Sequence, residues 1–143
     1  MTSPKDRKAI IAKQFIEALP YAKALGMAID EVGDGTATIT MPYDRKLIGD
    51  PETGVIHGGA VSALMDTCCG AAVMAHPAAL GGTATIDLRI DYMRPAKPGD
   101  AIKTTATCYH VTRSVAFVRA VTSDSDENRP VATATGAFTV EGA

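Results

Sequence analysis

The segment TGVIHGGAVSALMDTCCG, residues 53–70, decides the fold and function predicted for this chain. His57, Gly58 and Gly59 open a long apolar stretch, and Asp66 stands in the middle of it. Glycines at a helix start let a ligand approach bare backbone N–H groups, and the helix dipole favours negative charge there. Burying an aspartate carboxylate in an otherwise apolar helix costs free energy, so such a residue is expected to have a hydrogen-bond partner or a functional role. The segment therefore predicts a helix with an anion-binding start and a candidate base or nucleophile in its middle.

The spacing within this segment also bears on oligomeric state. Gly58 and Asp66 are eight positions apart, which separates them by about 12 Å along one helix at ~1.5 Å per residue. Groups that act on one carbonyl must come within roughly 3–3.5 Å of the reacting atoms. If both residues act on one carbonyl, Asp66 must come from a second copy, and a two-fold dimer supplies that arrangement twice.

Length and composition limit the chain to one globular domain. Its 143 residues suffice for one hydrophobic core, and 46% hydrophobic with 21% charged residues is a globular composition. The net charge of −2 gives no electrostatic basis for binding nucleic acid or an anionic membrane. We therefore predict a single domain over residues 1–143, with neither nucleic acid nor membrane as a partner.

The distribution of charge and cysteine predicts a cytoplasmic protein. Residues 1–7 are polar, and Lys13 and Glu17 interrupt the apolar positions that follow, so no signal peptide is predicted. Asp66 and Pro77 interrupt the most apolar run, which argues against a membrane span. Three cysteines, two of them adjacent, do not make a secreted disulfide framework.

The first 20 residues predict an amphipathic helix. Ser3-Pro4-Lys5-Asp6 combines a capping serine, a proline in the first turn and an acid three residues after the cap. Ile11 and Phe15 then follow at helical spacing. We predict a helix over roughly residues 4–18, ended by Pro20.

The remaining segments predict six strands around the central helix 58–75. Gly33-Asp34-Gly35 is a hairpin signal, and residues 43–56 form an irregular loop. In residues 83–93 polar side chains alternate with Ala84, Ile86, Leu88 and Ile90, which predicts one buried face. The order of elements predicts an α+β fold, an antiparallel sheet wrapped around a central helix. The predicted strands are 26–32, 36–41, 83–93, 101–111, 114–122 and 131–140.

The pattern Gly54-x-x-His57-Gly58-Gly59, followed after four residues by Leu64-x-Asp66, resembles the PaaI-like branch of the hotdog-fold acyl-CoA thioesterases. The resemblance covers most of residues 25–140, with its specific part at 57–66. It implies the hotdog fold and hydrolysis of an acyl-CoA thioester to a carboxylic acid and coenzyme A, without a cofactor. It also implies a homodimer or homotetramer with sites between protomers.

The resemblance assigns roles to four residues of the motif and of the following strand. Asp66 would be the general base or the nucleophile; the alternative is a buried aspartate bonded to neighbouring hydroxyls. An N–H of Gly58 or Gly59 would polarise the thioester carbonyl; the alternative is close helix packing. His57 would position that carbonyl or shape the turn; the alternative is a histidine that only caps the loop backbone. Thr85 matches a position where the family often has serine or threonine beside the aspartate; the alternative is an ordinary strand threonine without a functional role.

One departure from the family pattern lies in the preceding loop. The family often has asparagine six residues before its histidine, where this chain has Pro51. Glu52, or secondarily Asp50, could replace that water-positioning group, and a solvated loop acid is the alternative for each.

Three cationic side chains could bind the phosphates of coenzyme A: Arg94, Lys97 and Arg113. The alternative for each is a solvated cation in a turn. The spacing of His57, His76, Cys68 and Cys69 fits no zinc pattern, so no metal site is predicted.

Two other functions stay open beside the hydrolase: an acyl-CoA-binding hotdog protein without turnover, and a hydratase or dehydratase on the same fold. Aryl-acetyl, aromatic and medium-chain acyl groups all remain possible.

Overall fold

The computed structural model describes residues 3–141 as three α-helices, one 3₁₀ helix and six strands. Residues 1–2 and 142–143, which the single-domain prediction includes, lie outside the described residues. The α-helices are α1 (Pro4–Ala18), α2 (Pro20–Ala24) and α3 (Gly58–Ala75), and a 3₁₀ helix spans Arg45–Leu47. The strands are β1 (Ala28–Gly33), β2 (Thr36–Met41), β3 (Thr85–Tyr92), β4 (Ile102–Val111), β5 (Val115–Ser123) and β6 (Ala132–Thr139).

The six strands form one antiparallel sheet in the order β1-β2-β4-β5-β6-β3. The helix α3 packs across it, mainly on β2, β4 and β5. The hairpin between β1 and β2 turns at Asp34-Gly35, where Gly35 has φ of +71°, a conformation that glycine adopts without steric cost. The predicted antiparallel sheet around a central helix is confirmed.

The helix α3 forms the centre of the core. Its side chains are mainly Ala, Val, Leu, Met and Cys, and ten of its eighteen residues are buried. By length and mean hydropathy, 1.3, it would suit a membrane span despite Asp66, contrary to the sequence argument. Inside the fold 56% of it is buried, which is the position of a core helix.

The helix α1 has the predicted bounds but buries a different face. The Ser3 hydroxyl accepts from Asp6 N–H at 3.1 Å, which completes the predicted cap. Ala12 and Ile16 are buried, whereas Ile11 and Phe15 are about half exposed. Pro20 ends α1 and also begins α2, which the sequence analysis missed; proline is favourable at a first helical position.

The predicted buried face of residues 83–93 is wrong for the single chain. Ile86 is 55% exposed and Ala84 is exposed, while Leu88 and Ile90 are only half buried. The cause is position: β3 lies at the edge of the sheet and pairs only with β6. Alternation identifies a two-faced strand but does not say whether the same chain covers its apolar face.

Candidate active site

The start of α3 is held by its capping histidine. His57 Nδ1 accepts a hydrogen bond from Gly59 N–H at 2.8 Å, and His57 N–H donates to Leu47 O at 2.7 Å. A Cβ on Gly49 would lie 2.8 Å from His57 Cα, so only glycine permits this approach of the loop. Because a backbone N–H must be the donor, Nδ1 carries the lone pair. The neutral His57 ring therefore has its proton on Nε2, where it can donate to a ligand.

One amide at the helix start is free. Gly59 N–H is bonded to His57 Nδ1, and Ala60 N–H donates to His57 O at 3.0 Å. Among residues 3–141, Gly58 N–H has no acceptor, and Gly58 is exposed. Two glycine N–H groups were predicted as oxyanion donors. The Gly58 N–H is therefore available to a ligand, whereas the Gly59 N–H is already bonded to His57.

A tyrosine absent from the sequence predictions contacts the same glycine. The Tyr92 hydroxyl donates to Gly58 O at 2.9 Å. A Cβ on Gly58 would lie 3.6 Å from Tyr92 Cε1, so the ring lies directly over the helix start. Tyr92 ends β3, 34 residues away along the chain, and no local sequence signal links the two residues.

Asp66 and Thr85 meet as the resemblance implied. The Thr85 hydroxyl donates to Asp66 Oδ1 at 2.6 Å, and Asp66 is half buried. Asp66 faces a cleft of about 180 Å³ between α1, α3 and β3. The apolar lining of this cleft includes Phe15, Ile16, Leu19 and Phe138. The bond from Thr85 orients one carboxylate into an otherwise largely apolar cleft.

The neighbouring thiols are poor nucleophiles. Burial, with the charge of Asp66 as a smaller cause, raises the pKa of Cys69 to about 12. Burial also raises the pKa of Cys68, whose thiol contacts backbone oxygens of Ala37 and Thr104 at 3.3 Å each. Both cysteines are therefore neutral core residues. Among residues 3–141, no group of three or more His, Cys, Asp or Glu side chains is placed to hold a metal ion.

The structure separates the two halves of the predicted site. The helix α3 is continuous from Gly58 to Ala75, so Gly58 N–H and the Asp66 carboxylate stay about 12 Å apart along its axis. Each half is well formed, with Tyr92 and His57 at one and Thr85 at the other. One chain presents an anion-binding end and a carboxylate that cannot reach the same carbonyl.

The two loop acids differ in their availability. Asp50 accepts from Thr53 Oγ1 at 2.8 Å and from Glu52 N–H at 3.0 Å, and these bonds hold the pKa of Asp50 below its usual value. Glu52 is exposed, and its carboxylate has no hydrogen-bond partner within residues 3–141. The Asp50 carboxylate therefore stabilises its own turn, and the Glu52 carboxylate is the more available of the two to bind water.

The three predicted phosphate ligands also differ. Arg94 makes two 2.7 Å bonds to Asp124, whose side chain is 1% exposed, and a further bond to Arg129 O. Its donors are used inside the fold, so its bonding does not support a role in binding coenzyme A. The side chains of Lys97 and Arg113 are in exposed loops and stay available.

Comparison with known proteins finds an esterase-named protein, an acyl-CoA thioesterase and a PaaI protein similar to this chain. The chain is 35% identical over 101 residues to a Halobacterium salinarum protein provisionally named an esterase, a match covering 68% of this chain and 66% of that protein. It is 25% identical to the Escherichia coli medium/long-chain acyl-CoA thioesterase YigI, over 92% of each chain. The structure of the Escherichia coli PaaI protein from the phenylacetic acid degradation operon superposes with a TM-score of 0.83 at 26% identity, covering 95% of each chain.

The family profile matches over more than half of the chain. The description of the matching family is thioesterase superfamily, and the match spans residues 53–131, from the loop before α3 to the residue before β6. This span contains both halves of the site. The chain belongs to the thioesterase superfamily, has the hotdog fold, and is a thioester hydrolase by this family and by its similarity to an acyl-CoA thioesterase.

Proposed function

We propose that this chain hydrolyses the thioester of an acyl-CoA to a carboxylic acid and free coenzyme A. The observation that carries the proposal is the 2.6 Å bond from the Thr85 hydroxyl to Asp66, which aims a single carboxylate into an apolar cleft. The similarity to YigI, named for medium- and long-chain acyl-CoA, supports coenzyme A as the thiol part of the substrate. The apolar lining from α1 and β6 suits the acyl part.

The active unit in this proposal is a homodimer with two shared sites. The strand β3 is an unpaired edge that carries Thr85 at its start and Tyr92 at its end. If two β3 strands pair antiparallel about a two-fold axis near Leu88, the Thr85 of one chain lies beside the partner's Tyr92. That pairing brings the Asp66 carboxylate of one chain towards the partner's Gly58. A pair of such dimers would give the homotetramer.

The chemistry then divides between the two chains. The Gly58 N–H and the His57 Nε2–H donate to the thioester oxygen and stabilise the negative charge that develops on it. As general base, the partner's Asp66 takes a proton from water while the water oxygen attacks the carbonyl carbon. The C–S bond then breaks, and the departing sulfur takes up the proton. As nucleophile, Asp66 would attack the carbonyl carbon and expel coenzyme A as the thiolate, forming an anhydride that water opens to the carboxylic acid and Asp66 while a proton passes to the thiolate.

A non-catalytic acyl-CoA-binding protein is the second candidate. The observation that favours it is Pro51, which stands where the family often has asparagine and offers no side-chain hydrogen bond. Glu52, exposed in the same loop, takes the water-positioning role in the hydrolase proposal.

We also propose a cytoplasmic location, which is supported by cysteines that are all free thiols.

The test is release of free thiol from a panel of acyl-CoA substrates by the wild type and by Asp66→Asn. We expect turnover by the wild type and a loss of at least ~10²-fold in kcat for the variant. Asp30→Asn is the matched control, because Asp30 is an exposed carboxylate on β1, at the edge of the sheet opposite β3, and likewise accepts a hydrogen bond from a threonine hydroxyl, that of Thr40. Binding of acyl-CoA without thiol release by the wild type would favour the second candidate.

A further inference from the structure

The peptide group between Gly58 and Gly59 is held at both of its polar atoms. Its oxygen accepts from the Tyr92 hydroxyl at 2.9 Å, and its N–H donates to His57 Nδ1 at 2.8 Å. We infer that Tyr92 is a positioning residue, which fixes this peptide and through it the two donors that face the substrate oxygen. The inference rests on the proposed function of Gly58 and His57 as those donors.

Two consecutive glycines make the helix start intrinsically loose. Glycine has more backbone freedom than any other residue, and an oxyanion donor must be preorganised to lower a barrier. A peptide group is planar, so bonds at its oxygen and at its nitrogen fix its orientation. The adjoining peptide, which carries the free Gly58 N–H, is thereby constrained from its C-terminal side.

The same bonds determine which nitrogen of His57 faces the ligand. Tyr92 O–H, the Gly58 carbonyl, Gly59 N–H and His57 Nδ1 form one continuous chain of donors and acceptors. Hydrogen bonds aligned in this way polarise one another. A hydroxyl on the Gly58 carbonyl therefore strengthens the Gly59 bond to Nδ1 and keeps the His57 proton on Nε2.

The position of Tyr92 separates this role from one in folding. Tyr92 is 53% exposed, and the carbonyl it binds belongs to an exposed glycine. In the single chain, water can replace the lost hydroxyl as a partner for that carbonyl, and phenylalanine keeps the ring and any contact it makes with a partner chain, so the bond adds little to global stability. Its effect should appear in the chemical step, because water does not hold the peptide in one orientation.

The experiment compares Tyr92→Phe with the wild type and with Tyr109→Phe. Phenylalanine keeps the ring over Gly58 and removes only the hydroxyl. Tyr109 is a matched control, 49% exposed and stacked with Arg119 on the outer face of the sheet. We expect kcat of Tyr92→Phe to fall about 3- to 10-fold, with KM within about twofold and Tm unchanged, while Tyr109→Phe behaves as the wild type.

Histidine ¹⁵N spectra give a readout that needs no substrate. The His57 signal, assigned by its loss in His57→Gln, should report Nε2–H in the wild type and a mixture of tautomers in Tyr92→Phe. Wild-type kcat and an unchanged tautomer in Tyr92→Phe would overturn the inference, as would a loss explained entirely by KM or Tm. The absence of thioester hydrolysis by the wild type would instead overturn the proposed function.

Discussion

Replacing Gly58 with proline removes the amide at the start of α3 that has no acceptor within residues 3–141, and should leave the helix intact. Proline is well tolerated as the first residue of a helix, because its missing N–H has no intrahelical partner there. The preceding residue, His57, already has φ of −62° and ψ of 136°, the extended conformation that a following proline requires. A Cβ at position 58 would meet Tyr92 at 3.6 Å, an ordinary contact.

The expected cost follows from the lost hydrogen bond to the oxyanion. Removal of a single oxyanion donor typically lowers kcat by about 10²- to 10³-fold. Gly58→Ala is the matched control, since it adds the same Cβ against Tyr92 and keeps the N–H. In the thiol-release assay kcat of Gly58→Pro should lie about 10²-fold or more below that of Gly58→Ala. Equal kcat values in two folded variants would refute the assignment of Gly58 as a donor.

The same variant tests the shared site by complementation. Asp66→Ala and Gly58→Pro should each keep only about a hundredth or less of the wild-type activity. After subunit exchange, each mixed dimer holds one intact site and one doubly damaged site, and its activity should approach half that of the wild-type dimer. No recovery in heterodimers confirmed by mass would mean that Asp66 serves the site of its own chain.

Three further predictions concern the residues around the site and the fold. Thr85→Val removes the bond to Asp66 and should lower kcat/KM roughly tenfold, the usual scale for a hydrogen bond to a charged group, whereas Thr85→Ser keeps it. Glu52→Gln should lower kcat about tenfold without changing the free energy of unfolding; an unchanged kcat would remove this acid from the mechanism. Arg94→Ala leaves the buried Asp124 carboxylate without its ion pair and should lower the free energy of unfolding, as denaturant titration would measure.

The Arg94 prediction has a definite pH dependence. The Arg94 guanidinium holds the pKa of Asp124 well below its ordinary value of 3.8. A carboxylate whose pKa is lowered by folding stabilises the native state fully above the ordinary value, and that contribution disappears as the pH falls below it. The difference in unfolding free energy between the wild type and Arg94→Ala should therefore be largest near neutral pH and shrink in acid. A constant difference down to pH ~2 would contradict the assignment.

Local sequence signals predicted the elements that depend on neighbouring residues. The cap and glycines at 57–59 mark the start of α3, and Pro77 follows its end at Ala75. The hairpin at Asp34-Gly35 follows from the conformational freedom of glycine. These features need only a few adjacent side chains, so they can be read without knowledge of the fold.

Contacts between distant residues account for what the sequence analysis missed. Arg94 lies 30 residues from Asp124, and the loop that brings them together could not be oriented from the sequence. A cation beside prolines in a turn therefore resembled a phosphate ligand. Tyr92 likewise gains its role only from the register of β3 beside α3, since it reaches Gly58 from 34 residues away.

The wrong prediction for β3 and the separated site have one explanation under the proposed dimer. Alternation in residues 83–93 indicates an apolar face, yet Ile86 and Tyr92 are each more than half exposed in the single chain. The same strand holds the two catalytic halves at its opposite ends, through Thr85 and Tyr92. A second copy paired along β3 would satisfy the edge hydrogen bonds, shield apolar side chains and unite complementary half-sites. The alternating pattern then describes burial in the assembly, and dissociation of the dimer should abolish activity even where each chain stays folded.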